Sequence, residues 1–391
     1  MEDIVLLSGV RTAIGTMNGS FSQTPASDLG AAVIRDSVER AGLEPEQIDQ
    51  VILGCVGQVA EDGYIARVAT LKAGLPIGTP AYTVNRICGS GLESINTAAR
   101  WLQTGDAEII VAGGAENMTM QPYLLRRGRS GYRLGHDAVE DNLLHLISDP
   151  YESCHMGITA ENLAEQFEVS RETQDEVSVR SQERALAAIE AGYFKEQILP
   201  IEVRQGRNTV TFDTDEHPRR TDMESLGRLR PAFKADGQVT AGNSSGINDG
   251  AGAVVVTTAS KAAELGLTPK FRLVARAQAG VEPRIMGSGP IPAMQSALEK
   301  AGLSVGDMDT IELNEAFASV AAACSAALDL PEEKTNPNGG AIALGHPVGA
   351  SGTILTVKAM YELERIDGQF AMVSLCIGGG QGIASIFERI N

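Results

Sequence analysis

Cys88 is the residue of this sequence best suited to nucleophilic chemistry. It follows a short β-like run, Tyr82-Thr83-Val84, and precedes a stretch with apolar residues at helical spacing that ends at Gly105. A thiol at a helix N-terminus faces unpaired N–H groups and the positive end of the helix dipole, which lower its pKa. The sequence therefore predicts an exposed, reactive thiol of low pKa, whereas a lone cysteine in a Gly-rich turn is more often buried and inert.

Three further loops carry groups suited to acid–base and oxyanion chemistry. They are Asn314-Glu315-Ala316-Phe317, Gly345-His346-Pro347 and Cys376-Ile377-Gly378-Gly379-Gly380. Each follows a strand-like run, and doubly wound sheets place their sites at such strand ends. A Gly-rich loop is a poor place for a packed core histidine, so we interpret His346 as functional. For Cys376, an inert thiol at the end of an apolar strand is the alternative.

Composition and charge exclude several classes of protein. The 391 residues suffice for two or three domains, and the net charge of −18 argues against nucleic acid or an anionic membrane as the main partner. The five cysteines are widely spaced and form no CxxC pair, so we predict neither a disulfide framework nor a metal site, and a reducing cytoplasm. The run Ile4–Leu7 is interpreted as a first strand rather than a signal peptide, and no segment reaches the length of a membrane span.

The order of strand and helix signals predicts an α/β protein. Strand signals lie at Ile4–Ser8, Gln50–Gly54 and Ile109–Ala112, the last ending at Gly113-Gly114, and residues 29–41 form a helical pattern. Residues 118–246 are polar and irregular, apart from a helix over Arg171–Ala191. We predict a first half from residues 1–117 plus 247–268, an inserted loop domain over 118–246, and a second half over 269–391.

The last third of the chain repeats the first. Ala41-Gly42-Leu43 and Ala301-Gly302-Leu303 follow matching helices, and Val51-Ile52-Leu53 and Ile311-Glu312-Leu313 match as strands, with each pair 260 residues apart. Such a repeat indicates a duplicated α/β unit whose halves pack face to face and bring equivalent loops together.

Taken together, the motifs resemble those of the thiolase family, which are acyl-CoA:acyl-CoA acyltransferases, over essentially the whole chain. The resemblance rests on the Cys-Gly-Ser-Gly turn at Cys88 and on the three loops above, and His155-Met156-Gly157 and Ala241-Gly242-Asn243-Ser244-Ser245-Gly246 support it. It implies a layered αβαβα fold. It also implies coenzyme A, acetyl-CoA and acetoacetyl-CoA as substrates, with no metal or other cofactor.

The resemblance further implies a role for each reactive group. Cys88 would carry the acyl group, and His346 would accept its proton. Cys376 would exchange a proton with the α-carbon of the substrate. His346 and a water held by Asn314 would stabilise the enolate oxygen, and the N–H groups of Cys88 and Gly378 would stabilise the tetrahedral intermediates.

The implied CoA site lies mostly in the inserted segment. Arg219 would approach the adenine-diphosphate end, with Arg220 as the alternative in an ambiguous alignment, and Ser225, Ser245 and the backbone near Phe233 would line the pantetheine tunnel. The acyl end would be bordered by His155, Met156, Met286, Ala316 and Phe317. The segment 126–133 resembles the one through which tetrameric members associate, so we expect a homotetramer, a dimer of dimers, with a dimer as the alternative.

Substrate range has two interpretations. The insertion before His155-Met156 and the bulky Met156 and Met286 are typical of short-chain, acetoacetyl-CoA-forming thiolases, whereas Gln381 is more familiar among degradative 3-oxoacyl-CoA thiolases. We predict an acetyl-CoA C-acetyltransferase, with the degradative enzyme of fatty-acid β-oxidation as the alternative.

Other classes of protein are less consistent with the sequence. A ketoacyl synthase normally has histidine in place of the second cysteine, so Cys376 argues against it. A non-catalytic acyl-CoA-binding homologue would be expected to lose a reactive group, and none is lost. A cysteine hydrolase would release free acid from acyl-CoA.

The remaining cysteines and histidines are interpreted as structural or solvated. We expect Cys55, Cys154 and Cys324 to be packing residues, without a Cys154–His155 dyad. We expect His136, His145 and His217 to be solvated loop residues.

Overall fold

A computed structural model of the chain describes residues 2–390 and all of their side chains except that of Glu61. No helix within these residues is long and apolar enough to cross a membrane.

The described residues form seventeen strands and twelve α-helices. The first half contains β1 (Ile4–Thr12), β2 (Gly15–Thr16), α1 (Ala26–Arg40), β3 (Gln50–Gly54), α2 (Ile65–Lys72), β4 (Ala81–Val84), α3 (Ser90–Thr104) and β5 (Ile109–Asn117). There follow β6 (Tyr123–Leu124), β7 (Glu140–Asp141), α4 (Asn142–Leu146), β8 (Ser148–Asp149), β9 (Cys154–His155), α5 (Met156–Gln166), α6 (Arg171–Ala191), β10 (Ile198–Leu199), β11 (Ile201–Gln205), β12 (Asn208–Phe212), α7 (Met223–Gly227), β13 (Asn248–Thr258) and α8 (Ala259–Glu264). The second half contains β14 (Phe271–Gly280), α9 (Pro290–Ala301), β15 (Thr310–Leu313), α10 (Ala318–Leu328), α11 (Ala341–Leu344), α12 (Ser351–Ile366), β16 (Phe370–Ile377) and β17 (Gln381–Arg389).

One sheet runs through both halves, in the order β15-β16-β17-β14-β1-β13-β5-β3-β4. The order is symmetric about the β14–β1 pair, so that β1, β13, β5 and β3 match β14, β17, β16 and β15. The matching pairs β3–β5 and β15–β16 are both parallel. The halves join where Ile4, Val5 and Leu6 pair antiparallel with Leu273, Arg272 and Phe271. The duplication predicted from the 260-residue repeat is therefore confirmed.

Two helices form a layer between the halves. Helices α3 and α12 pack on each other and on strands of both halves. Their shared core contains Leu92 and Ile95 of α3, Leu355 of α12, and Val254 and Val373 from opposite halves. Separate cores lie beneath α1 and α2 on one outer face and beneath α9 and α10 on the other. The predicted layered αβαβα arrangement is thus confirmed.

Helices α3 and α12 meet at their N-terminal ends. A Cβ atom on Gly91 would lie 2.8 Å from the backbone nitrogen of Thr353, and a Cβ atom on Gly352 would overlap the backbone nitrogen of Leu92. Glycine is therefore needed on both helices for the backbones to touch. This contact brings together the two preceding loops, which carry Cys88 and His346.

The first and central strands are longer than predicted. Strand β1 continues past Ser8 to Thr12, and β5 continues through Gly113 and Gly114 to Asn117. The two glycines do not end β5. Instead they allow close packing, because a Cβ atom on Gly113 would overlap the carbonyl oxygen of Gly252, and one on Gly114 would overlap that of Gly349.

The inserted segment packs on both halves. Helix α6, predicted over Arg171–Ala191, is confirmed with those bounds, and it contributes Ala185 to the core of the first half. Helix α5 contributes Leu163 to the core of the second half. A buried bidentate ion pair between Arg11 and Asp215, with N···O distances of 2.8 and 2.9 Å, fastens the segment to β1. The predicted domain boundaries at 118 and 246 stay predictions.

We predict that Gly352→Ala lowers stability. Alanine normally favours a helix interior by about 1 kcal/mol over glycine. Here the added methyl group would overlap the α3 backbone, and overpacking of this kind costs about 1–3 kcal/mol. Denaturant unfolding should show a lower midpoint. The control is Gly227→Ala in α7, where a Cβ atom meets no other atom within 4 Å; equal midpoints for the two variants would contradict the prediction.

Candidate active site

Cys88 lies in a tight turn between β4 and α3. Ile87 has a left-handed backbone conformation with φ of 42°, which β-branched residues rarely adopt. The hydroxyl of Ser90 holds the turn by donating to the carbonyl of Ile87 (2.7 Å) and accepting from the N–H of Arg86 (2.8 Å). Strain of this kind is typical of functional sites, where the surrounding structure maintains it.

Burial governs the chemistry of Cys88. It raises the pKa of this thiol to about 11, although hydrogen bonds from the N–H groups of Gly378 and of Cys88 itself act in the opposite direction. The side chain is 4% exposed. The prediction of an exposed thiol of low pKa is therefore wrong, because desolvation exceeds the effect of the helix terminus. The free enzyme holds Cys88 as a neutral thiol.

His346 is a neutral imidazole with a defined tautomer. Burial lowers its pKa to about 4. Its Nδ1 lies 2.6 Å from the hydroxyl oxygen of Ser351, and that hydroxyl donates its own proton to the carbonyl of Pro347 (2.9 Å). Nδ1 must therefore carry the proton and donate to Ser351, which leaves Nε2 free to accept one. The backbone N–H of His346 is fixed by the side-chain oxygen of Asn248 (3.0 Å).

Asn314 follows β15 and points at the imidazole. Its Nδ2 lies 3.4 Å from Nε2 of His346, and its backbone N–H donates to the carbonyl of Ser374 (2.9 Å). Its buried Oδ1 has no hydrogen-bond partner among residues 2–390. An unpaired buried oxygen is costly, so this atom indicates a place for a water or a substrate group.

Cys376 lies at the end of β16, and Gly378 is the first residue after this strand. Burial raises the pKa of the Cys376 thiol well above its usual range, and the nearby Cys88 and Cys324 add to the effect. Gly378 directs its N–H at the sulfur of Cys88. A Cβ atom on Gly378 would overlap the terminal methyl group of Met156, so this position has no room for a side chain.

A largely apolar cavity of about 370 Å³ lies against Cys88 and His346. Cys88 and His346 line it together with Phe233, Ser245, His155, Met156, Met286, Ala316 and Phe317, all of which were predicted to border the substrate. The His155 ring stacks on Phe233 with centroids 4.6 Å apart. Its Nδ1 accepts the N–H of Gly157, so the His155 side chain caps the N-terminus of α5. This hydrogen bond uses Nδ1 within the helix and not in a dyad with Cys154.

Two protein-family models together match almost the whole chain. The model of the thiolase N-terminal domain matches residues 4–260, and that of the thiolase C-terminal domain matches residues 267–389. The chain belongs to the thiolase family. The Beta-ketothiolase BktB of Cupriavidus necator is 49% identical over 392 residues, and an acetyl-CoA acetyltransferase of Escherichia coli is 49% identical over 394 residues, each alignment covering 100% of both chains.

Solved structures give the same family. The Bacillus anthracis acetyl-CoA acetyltransferase superposes with a TM-score of 0.98 at 44% identity, covering 100% of this chain and 99% of the other. A human mitochondrial 3-ketoacyl-CoA thiolase superposes with a TM-score of 0.97 at 43% identity and the same coverage.

Two of the predicted CoA residues of this thiolase, Arg219 and Ser225, do not line the cavity. The backbone N–H of Arg219 donates to Gln182 (2.8 Å), and its guanidinium lies 3.3 Å from His217. The N–H of Ser225 donates to Asp222, which caps α7 (2.7 Å). The roles of Arg219 and Ser225 in CoA binding therefore stay predictions.

His217 is not the solvated residue that the sequence predicted. It is half-buried against Gly246, which lines the cavity. Burial lowers its pKa to about 4, and the neighbouring Arg219 adds to the effect. Cys55 and Cys324 are buried, as predicted.

The structure also places residues that sequence reasoning missed. Glu116 is fully buried at the end of β5, where its carboxylate accepts the N–H groups of Val56, Gly57 and Gly349 (each 2.9 Å). Burial raises its pKa to about 7. It joins the loop after β3 to the loop of His346. The only signal for Glu116 in the sequence was its position just after the apolar run Ile109–Ala115. This signal is not specific, because acidic residues are common at strand ends.

The protonation states predict how alkylation of Cys88 depends on pH. With pKa values of about 4 for His346 and about 11 for Cys88, the ion pair formed by moving the thiol proton to His346 is about seven powers of ten (11 − 4 = 7) less populated than the neutral pair, so the ionised thiol beside a neutral imidazole is the more abundant reactive form at pH 6 and above. We expect the rate of Cys88 alkylation by iodoacetamide, measured by mass spectrometry of the peptide, to rise about tenfold per pH unit from about pH 6 to pH 9.

The matched variant is His346→Ala, in which the thiol lacks this proton acceptor. Its alkylation rate should show the same slope over this range, since only the ionised thiol reacts. A wild-type rate that stays flat while that of the variant climbs would contradict the neutral state of both groups and indicate a preformed ion pair of Cys88 and His346.

Proposed function

We propose that this thiolase is an acetyl-CoA C-acetyltransferase, which forms and cleaves acetoacetyl-CoA through an acetyl-Cys88 intermediate. The observation that carries the proposal is that Cys88 and a neutral His346 line one apolar cavity, with Nδ2 of Asn314 3.4 Å from the imidazole and Cys376 near Cys88. The names of the relatives from Escherichia coli and Bacillus anthracis support it.

Cleavage begins at the 3-oxo carbon of acetoacetyl-CoA. The sulfur of Cys88 attacks this carbon while the thiol proton moves to Nε2 of His346. The bond between C2 and C3 then breaks, and its electron pair passes to the enolate of acetyl-CoA. The thiol of Cys376 protonates the enolate at carbon, which releases acetyl-CoA and leaves acetyl-Cys88.

The second half-reaction transfers the acetyl group to free CoA. The Cys376 thiolate takes the proton of the CoA thiol, and the CoA sulfur attacks the acetyl carbon of acetyl-Cys88. The Cys88 sulfur leaves and recovers its proton from the imidazolium of His346. Cys88 and His346 recover their starting protonation, and the CoA thiol proton replaces the one that Cys376 gave to acetyl-CoA. The cycle therefore needs only this chain, CoA and a CoA thioester, and we propose no other cofactor.

Two sets of donors would stabilise the two oxyanions. The N–H groups of Gly378 and Cys88 already meet at the Cys88 sulfur, where the oxygen of a tetrahedral intermediate would lie. Asn314, with its unpaired Oδ1, would hold a water that acts with His346 on the enolate oxygen. Loss of one such donor typically costs about 3 kcal/mol of barrier.

The cavity favours a short acyl group. Met156, Met286 and Phe317 fill its wall beside Cys88 and leave about 370 Å³ for the acyl chain and the end of the pantetheine arm. Preference between substrates that differ by methylene groups depends on such contacts. A broader 3-oxoacyl-CoA thiolase is the second candidate, and the names of the Cupriavidus necator and human relatives favour it.

We further propose a cytoplasmic homotetramer, a dimer of dimers. The five cysteines are unpaired in the structure, which is consistent with a reducing compartment. The segment 123–139 exposes Tyr123, Leu125, Leu134 and Val139, and a cluster of apolar side chains of this kind is typical of an association surface.

We predict that the purified chain cleaves acetoacetyl-CoA in the presence of CoA at least about tenfold faster than 3-oxooctanoyl-CoA. Cys88→Ala should lose at least about 10³-fold of either activity, because the acyl acceptor is gone. Both substrates are assayed side by side by loss of the 3-oxoacyl-CoA absorbance.

The outcomes separate the candidates. Comparable cleavage of both substrates would favour the broader thiolase. Binding of acyl-CoA by folded protein without cleavage of either substrate would contradict the enzyme assignment and favour a non-catalytic acyl-CoA-binding protein. Release of free acid in place of acyl-CoA would indicate a hydrolase.

A further inference from the structure

Asp149 is a fully buried carboxylate that joins the β8–β9 hairpin to the loop after β16. It lies in β8 and pairs with Cys154 in β9. Its Oδ1 accepts the N–H groups of Tyr151 and Glu152 (both 2.9 Å), which closes the turn of this hairpin. Its Oδ2 accepts the N–H of Gly379 (3.1 Å) from the other half of the chain. A buried carboxylate is costly unless it is fully hydrogen-bonded, so this arrangement is a built feature.

The loop between β16 and β17, which Asp149 contacts, has few other interactions that could fix its conformation. It connects β16 to β17 between the paired residues Ile377 and Gln381. Its members Gly378, Gly379 and Gly380 have no side chains, and the last two have φ values of 84° and 81°. Glycine loops have many accessible conformations, so backbone partners must select one.

The loop has a second backbone anchor. The carbonyl of Gly380 accepts the N–H of Val281 at 2.7 Å. That bond fixes the far end of the loop. The bond from Gly379 to Asp149 fixes the peptide next to Gly378, whose N–H faces the Cys88 sulfur.

The hairpin reaches the acyl end of the cavity. After β9 the chain enters α5, and the N–H of Met156 donates back to the carbonyl of Ile147 (2.9 Å). Met156 and Ile147 both line the cavity, and the methyl group of Met156 packs on Gly378. The same carboxylate thus holds the oxyanion donor and the wall that contacts the acyl chain.

We propose that Asp149 is a positioning residue, which orients the N–H of Gly378 toward the thioester oxygen at Cys88 and couples that orientation to the Met156 wall. The inference rests on the proposed function. It assigns Asp149 to acylation and deacylation of Cys88, which use the Gly378 donor. The enolate step uses His346 and Asn314 and does not depend on Asp149.

Label exchange between free CoA and acetyl-CoA isolates the acyl-transfer half-reaction. This exchange passes through acetyl-Cys88 without breaking a carbon–carbon bond. In Asp149→Asn the side chain keeps its size, but its NH₂ group must face a backbone N–H in either orientation. Placed toward Tyr151 and Glu152 it loses two hydrogen bonds, and placed toward Gly379 it loses one, so the bond to Gly379 is the one we expect to break. We expect exchange to fall about ten- to hundredfold in kcat, with KM for acetyl-CoA within about threefold.

Two further variants give the contrast. Asn314→Ala should lower thiolysis of acetoacetyl-CoA about a hundredfold more than it lowers exchange, because only thiolysis forms the enolate. Asp149→Asn should lower exchange and thiolysis to a similar extent, because thiolysis also passes through acylation and deacylation of Cys88. Asp141→Asn is the matched control. Asp141 lies in the same inserted segment as Asp149, where its side chain accepts a backbone N–H, that of Leu143. The exchange rate of this variant should equal that of the wild type.

The outcomes separate this inference from the proposed function. Exchange at the wild-type rate in folded Asp149→Asn, or an equal loss of exchange in Asp141→Asn, would overturn the inference alone. Absence of exchange in the wild type would overturn the proposed function and the inference with it.

Hydrogen–deuterium exchange on the wild-type protein tests the same point if Asp149→Asn does not fold. The Gly379 amide should be protected, and peptides covering 377–381 and 148–156 should open together, because one carboxylate holds both. Rapid exchange at 377–381 while 148–156 stays protected would overturn the inference.

Discussion

The active site depends on a contact between two helices that approach too closely for side chains. Gly91 in α3 and Gly352 in α12 meet the backbone of the opposite helix. Each helix belongs to one copy of the duplicated unit, so the contact holds equivalent loops of the two halves together. One loop ends in Cys88 and the other contains His346. In the proposed mechanism, the duplication thus supplies the nucleophile from one copy and the base from the other.

The same close packing sets the protonation states. Removal of water raises the pKa of Cys88 to about 11 and lowers that of His346 to about 4, so both groups are uncharged in the empty site. A preformed thiolate would have to be buried without a cation, which is unfavourable. In the proposed mechanism, the thiol therefore gives up its proton to His346 as it attacks, when the developing negative charge moves to an oxygen held by backbone N–H groups. Ser351 would make this transfer possible because it fixes the proton on Nδ1.

Local sequence patterns identify the elements and the reactive residues, but they do not show what covers them. The 260-residue repeat predicts the matching strands, and four loop motifs predict Cys88, His346, Asn314 and Cys376, since such residues occupy strand ends with recognisable neighbours. The burial of a side chain, in contrast, depends on residues that are distant in the sequence. The thiol pKa was predicted in the wrong direction because the groups that exclude water, among them Met118, Leu146 and Val348, lie far away in the chain. Gly113 and Gly114 were misjudged for the same reason, since their close neighbours come from β13 and the His346 loop.

Direct detection of the acyl intermediate tests the central claim, which is that Cys88 is the group that carries the acetyl unit. The protein is mixed with acetyl-CoA, quenched in acid within seconds, digested and analysed by peptide mass spectrometry. The account predicts an acetyl group on Cys88, and its loss when free CoA is added before the quench. Acetylation of Cys376 in place of Cys88, or no acetyl-enzyme in a preparation that cleaves acetoacetyl-CoA, would contradict it.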